Sequence, residues 1–160
     1  MANVCLEINT TRDISKQILR HRSFSFQEFS QRYADPTKDL EFVLREARLQ
    51  DKTNRQNSID TDDTHLQMLW SAQQNKVITA SKEAYKWAIE NGVAKEQARA
   101  LLPEGLTETT VIMAGTLRSW IHYCQLRGGE ETQKEHREIA LRCWDIIGQH
   151  FPDLEKVLDI

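Results

Sequence analysis

The sequence predicts an α+β domain dominated by helices, with a small antiparallel or mixed sheet. Three observations carry that expectation. Val4, Leu6 and Ile8 alternate with Cys5, Glu7 and Asn9, which is the period of a strand. Leu66, Leu69, Trp70, Val77, Ala80, Ala84 and Ala88 form a stripe along one long helix. Residues 106–113 are rich in Thr, Val and Ile and lie between helical stretches, as a further strand would. A chain of 160 residues suits one domain, taken as 1–160, with a real core.

The elements follow in order. After the first strand, Thr10 or Thr11 can cap a helix with Asp13 in its first turn, where a carboxylate suits the helix dipole. Ile14, Ile18 and His21 share one face, and Arg20 and Arg22 fall at or past its C-terminal end. Residues 23–33 are aromatic and polar with no helical period, so a loop running into a short extended segment is expected. Residues 41–45 read as a strand, and the polar stretch 52–63 as an exposed loop. Asp62, Asp63 or Thr64 can cap the long helix, and Asn91-Gly92 ends it as a left-handed cap would. A short helix over 95–102 stops before Pro103. Thr116 opens the next helix, which buries Leu117, Trp120, Ile121 and Cys124 and leaves Arg118, His122 and Gln125 together on another face. Gly128-Gly129 ends it just after Arg127. Thr132 and Glu135 have the spacing of a capping box for the last long helix, whose core stripe is Ile139, Cys143, Ile146 and Ile147. Pro152 breaks that helix, and a final turn is expected at 154–158. The four tryptophans, Trp70, Trp87, Trp120 and Trp144, fall at core spacing. His65, His136 and His150 have no ligand spacing and are expected on the surface or on helix faces.

Composition excludes some classes. A net charge of −3 gives no whole-chain field toward DNA or anionic membranes. Cys5, Cys124 and Cys143 are an odd set without CxxC spacing, so neither a disulfide framework nor a metal site is expected. Free thiols fit a reducing, cytoplasmic setting. No apolar run reaches bilayer length, and residues 1–16 lack the continuous apolar stretch of a secretory signal.

The densest chemistry is Arg20-His21-Arg22, followed by Ser25, Gln27, Glu28, Ser30 and Arg32. Guanidinium groups grip phosphate as a bidentate fork, and hydroxyls complete the shell. One such contact at ~4 Å, with an effective dielectric near 20, is worth roughly 4 kcal/mol before desolvation. The competing reading is structural: cations at a helix C-terminus stabilise its dipole by about 0.3–1 kcal/mol each. Phe24, Phe26 and Phe29 would then be core. Ser30 is a poor nucleophile, because no adjacent base, elbow or triad pattern accompanies it.

Residues 20–32 read RHRSFSFQEFSQR. This resembles the signature RHRxxSxNExSxR of the flavin-dependent thymidylate synthases, with Gln27 in place of Asn. So many fixed positions are far more specific than a lone glycine motif. Residues 98–103 (ARALLP) resemble the family's ARxxLP, residues 116–119 with Leu126-Arg127 its later helix, and Gln133 with Glu135 its Q-x-E.

The resemblance implies a fold of the thymidylate synthase-complementing type. It also implies an enzyme, a methyltransferase that converts dUMP to dTMP. FAD is the cofactor, NADPH reduces it, and methylenetetrahydrofolate donates the carbon. Family members are homotetramers with active sites between subunits. Carried over residue by residue, Gln17, Arg20, Glu28, Phe29, Ser30, Gln31 and Arg32 would hold dUMP, and Arg99 would reach it from another subunit. Arg20, His21, Arg22, Arg118, His122 and Leu126 would meet the flavin. Arg127 would sit against the pyrimidine and act in catalysis. Thr116 and His122 stand where some relatives have Asn. Relatives usually carry a further segment before the first strand, supplying sheet, helix and a flavin-site His, so the chain is expected to lack it. A second reading is therefore a non-catalytic member that binds dUMP or assembles with a complementary fragment. A nucleic-acid binder is disfavoured by the acidic charge and by Glu28 inside the basic stretch.

Overall fold

The structure, a computed structural model, describes residues 2–30, 41–55 and 57–154. Gln31, Arg32 and the expected turn beyond Leu154 lie outside them. In chain order the elements are β1 (Asn3–Thr11), α1 (Arg12–Ile18), β2 (Ser25–Glu28), β3 (Arg48–Gln50), β4 (Ser58–Asp60) and α2 (Thr64–Glu90). They continue with α3 (Lys95–Ala98) and its 3-10 extension (Arg99–Leu101), β5 (Glu108–Thr116), α4 (Leu117–Arg127) and α5 (Lys134–His150). The fold is α+β and helix-rich, as the sequence predicts.

β5 lies between β1 and β2 in an antiparallel sheet. Its register places Ile8 opposite Val111 and Phe26 opposite Met113. The period-2 alternation turns Ile8, Val111 and Met113 inward. Ile14 and Ile18 of α1, Trp120, Tyr123 and Cys124 of α4, and Ala140, Cys143, Trp144 and Ile147 of α5 complete that core. The buried Trp120 indole donates to the Val4 carbonyl at 3.1 Å, which satisfies its one polar atom. A second cluster, Tyr85, Ala88, Ala98 and Leu102 with Phe42 against it, ties α2 to α3.

The caps on α2 and α4 form as expected. Asp63 accepts from the Leu66 N–H at 3.0 Å and Thr116 from the Ser119 N–H at 3.2 Å. Gly92 has φ 77°, and Val93 and Gly92 donate to the Ala88 and Ile89 carbonyls, a Schellman closure of α2. The short helix over 95–102 forms as α3 and its 3-10 turn.

Other expectations are corrected. Residues 41–45 form no strand, only a bridge between Phe42 and Thr107. Val43 donates to the Leu106 carbonyl at 2.9 Å and Glu108 to the Glu41 carbonyl at 3.1 Å, but at 45 and 47 the partners are side chains. Gln74 accepts from the Arg45 N–H and donates to the Arg45 carbonyl, at 2.8 and 2.9 Å. Gln67 does the same for Ala47, at 2.7 and 3.0 Å. Two carboxamides on α2 thus stand in for a neighbouring strand and satisfy backbone groups that would otherwise be orphaned. Within the expected loop 52–63, β4 pairs with β3 as a hairpin, closed by Asp51 accepting from the Thr53 and Asn54 N–H groups. Neither strand has a buried face, so no alternation marks it.

α2 buries Gln74, Ile78, Ser81, Tyr85 and Ala88, so only Ala88 of the expected stripe is inside. Leu69, Trp70 and Val77 are exposed, and Trp87 is 62% exposed. The helix carries two apolar faces, and the polar residues Gln74 and Ser81 mark the buried one because they serve backbone groups. Trp70 and Trp87 are therefore surface residues, whereas Trp120 and Trp144 are core as expected.

Thr11 does not cap α1 through its side chain but donates to Asp13 at 2.6 Å, and Arg45 binds both. α1 ends at Ile18, so His21 lies beyond it rather than on its face. The capping box at α5 is absent: Gln133 is the N-cap, Glu135 is taken by Arg48 and Gln133, and the Thr132 hydroxyl is buried without a partner among the described residues. Ile146 is exposed, and His136, Ala140 and Trp144 join Cys143 and Ile147 in the buried stripe.

Gly115 lies directly under Phe24. A Cβ there would come within 2.5 Å of that ring. Gly115→Ala is expected to destabilise the fold by about 1–3 kcal/mol, read as a lower urea midpoint at unchanged slope.

Candidate active site

The last turn of α1 tightens as Leu19 and His21 donate to the Ser15 and Ile18 carbonyls. Arg20 and Arg22 are left exposed, and His21 is carried against α4. Its ring meets Tyr123 edge-on at 4.9 Å. Arg127, at the end of α4, donates from Nε to His21 Nε2 at 3.0 Å. A guanidinium only donates, so His21 Nε2 is bare and its proton sits on Nδ1. Burial, then the charges of Arg127 and His122, push the His21 pKa down to about 4. His21 is thus not a further cation of the basic stretch but a neutral acceptor that holds Arg127.

Phe24 anchors the next residues. Its ring packs edge-on against Trp120 at 5.0 Å and near Tyr123 at 5.9 Å. Phe26 packs beside it, whereas Phe29 is 41% exposed and is not core. This brings Ser23 to the face of α4 that carries Arg118, His122 and Gln125, around a hollow of about 520 Å³. The expected face is therefore real, and it sits beside His21 and Arg127. Leu126 is exposed nearby in sequence.

β2 carries Glu28 to a second group. Ser15 donates to Glu28 Oε1 at 2.6 Å, Thr109 at 3.4 Å, and Arg12 lies 3.7 Å from the same oxygen. Arg12 also lines a hollow of about 540 Å³ with Lys16, Glu96, Arg99 and Glu104. Lys16 pairs with Glu104, and Arg99 Nε donates to the Glu96 carbonyl at 3.2 Å. Arg12 was not singled out in the sequence, although its i, i+4 spacing to Lys16 on the first helix was available as a signal. Ser30 follows Phe29, whose N–H donates to the Thr110 carbonyl at 2.9 Å.

Gln17 projects from α1 to α5. Its Nε2 donates to Gln133 Oε1 at 2.9 Å, and its Oε1 lies 3.3 Å from His136 Nδ1. His136 was expected on the surface or on a helix face; it lies on the face of α5 that is fully buried. It falls on the stripe with Ala140, Cys143 and Ile147, a spacing in the sequence that marks the buried side of α5. Burial, then Arg127 and His21, push its pKa down to about 4.

Residues 1–153 match the family model described as thymidylate synthase complementing protein. The chain belongs to this family. A probable flavin-dependent thymidylate synthase of Paramecium bursaria Chlorella virus 1 is 48% identical over 158 residues, spanning 99% of this chain and 72% of that protein. The flavin-dependent thymidylate synthase of a Synechocystis strain is 48% identical over 159 residues, with the same coverage of 99% and 72%. That of Kosmotoga olearia is 33% identical over 139 residues, 87% of this chain and 60% of the relative. The family match spans every described element, so the group around His21 and Arg127 and the group around Glu28 both lie inside it. No described helix is long and apolar enough to cross a membrane.

The two neutral histidines make stability pH-dependent. Their folded pKa values of about 4 lie below the ordinary 6.5, so the unfolded chain binds more protons between those limits. Stability is full above pH about 6.5 and falls as pH drops toward about 4. Urea midpoints measured across that window should decline steadily, and His21→Gln should make the decline shallower.

Proposed function

We propose that this chain carries out the reductive methylation of dUMP to dTMP, with methylenetetrahydrofolate as carbon donor and NADPH-reduced FAD as hydride source. The observation that carries the reading is the Arg127 guanidinium held on a neutral His21, beside the hollow formed by Ser23, Arg118 and His122. An exposed cation, an imidazole and hydroxyls on one face form a donor set that fits an anionic, nitrogen-rich flavin nucleotide. Arg20, His21, Arg22, Arg118, His122 and Leu126 would hold the flavin, which supplies the redox chemistry when bound.

Gln17, Arg20, Glu28, Phe29, Ser30, Gln31 and Arg32 would grip dUMP, with Arg99 contributed by another subunit. Glu28 is fixed in place by Ser15 and Thr109, and Arg12 balances its charge. Arg127 would meet the pyrimidine and stabilise the negative charge that grows on it during attack. Because His21 is neutral, it orients the guanidinium without repelling it. No nucleophile from the protein is required. No observation favours the non-catalytic reading.

The uncovered apolar face of α2, with Leu69, Trp70, Val77 and Trp87, supports assembly with further copies of the chain, as a homotetramer. The free thiols Cys5, Cys124 and Cys143 support a cytoplasmic setting.

Purified protein should be yellow, release FAD on denaturation, and release tritium from 5-tritiated dUMP when NADPH and methylenetetrahydrofolate are supplied. Arg127→Ala should lower turnover by about 10²–10³ while the flavin stays bound. Wild-type protein that holds FAD and all substrates yet releases no tritium would overturn the reading. Light scattering should give a mass above that of the monomer, and Trp87→Glu should reduce it.

A further inference from the structure

A line of hydrogen bonds runs from the core beneath α4 to the surface hairpin, and Gln17 is its middle link. The Tyr123 hydroxyl lies 3.1 Å from His136 Nε2, and His136 Nδ1 lies 3.3 Å from Gln17 Oε1. Gln17 Nε2 lies 2.9 Å from Gln133 Oε1, and Gln133 Nε2 lies 2.9 Å from Glu135 Oε2. Arg48, from β3, holds the other Glu135 oxygen.

The direction of this line is set at its outer end. Burial opposes charge on Glu135, but hydrogen bonds from Arg48, from its own backbone and from Gln133 outweigh it and keep the carboxyl below its ordinary range. An ionised carboxylate only accepts. Gln133 must therefore turn its nitrogen to Glu135 and its oxygen to Gln17. Gln17 must turn its nitrogen to Gln133 and its oxygen to His136. A carboxamide oxygen only accepts, so His136 carries its proton on Nδ1. Burial keeps the ring neutral near pH 7, so Nε2 is bare and Tyr123 donates to it. Burial also raises the Tyr123 pKa, which keeps that donor protonated.

We propose that Glu135 and His136 are positioning residues that fix which end of the Gln17 carboxamide faces the nucleotide. The nucleotide role rests on the thymidylate synthase reading; the direction of the line does not. With both ends of the amide engaged, Gln17 keeps one N–H and one oxygen lone pair at set places. A pyrimidine nucleotide offers donors and acceptors at set places too, so a flipped amide would oppose donor to donor and leave polar groups unpaired. Gln133 and Glu135 resemble the family's Q-x-E, and the line supplies a physical reason for the pair.

The test has two readouts. In protein labelled with ¹⁵N-histidine, long-range proton–nitrogen correlation should show His136 as the Nδ1–H tautomer with a bare Nε2. Glu135→Gln lets residue 135 donate or accept, so the second tautomer should appear. In the same variant, dUMP affinity by calorimetry should fall roughly three- to tenfold, with flavin absorbance unchanged. His136→Asn, which keeps a donor near the Nδ1 position, should retain more affinity than His136→Leu. An Nε2–H tautomer in the wild type overturns the direction. A Glu135→Gln variant that binds dUMP like the wild type overturns the positioning role. Wild-type protein with the expected tautomer and no dUMP binding overturns that role through the substrate reading alone, and leaves the direction standing.

Discussion

The hydrogen bond from Arg127 to the neutral ring of His21 joins the loop after α1 to the end of α4, and the rest of the site is arranged around it. His21 can accept only because burial and neighbouring charge keep it unprotonated. The ring in turn rests on Tyr123, which is wholly buried. Phe24, seated over Gly115 and against Trp120, fixes the loop from its other side. A basic stretch that sequence presents as a run of charges is thereby divided. His21 becomes a neutral support, and Arg20 and Arg22 stay exposed.

The same economy of polar groups recurs through the domain. Buried carboxamides and hydroxyls are present where backbone or side-chain groups need partners. Gln67 and Gln74 serve the extended backbone at 45 and 47, and Ser81 serves the Leu101 carbonyl. Gln17, Gln133 and His136 form one directional line between the core and Glu135. Each of these polar side chains would suit solvent as well by sequence, and each is held by a defined partner in the fold.

Much of the fold was legible because local rules sufficed. Alternation in β1, the Asp63 and Thr116 caps and the left-handed Gly92 are set by residues within a few positions of one another. The polar stretch at 20–32 and the Arg118–His122 face were legible for the same reason, and the packing of Phe24 explains why Ser23 reaches that face. What failed needed distant partners. The segment at 41–45 has a strand's composition, but its backbone pairs with 106–108 only around Phe42, and Arg45 turns instead to a side chain of α2. The face of α2 could not be chosen from periodicity, because two apolar faces compete and only packing decides between them. Thr132 and Glu135 have capping-box spacing, yet Arg48 on a separate hairpin claims the carboxylate. The roles of Arg12 and His136 depend on Glu28 and Tyr123, which come from other elements.

A double-mutant cycle between His21 and Arg127, read as dUMP affinity by calorimetry, tests the central interaction most directly. If the imidazole acts through the guanidinium it holds, His21→Ala weakens binding in the wild-type background and changes nothing further once Arg127 is already Ala. Losses that add independently in the double variant would contradict that coupling.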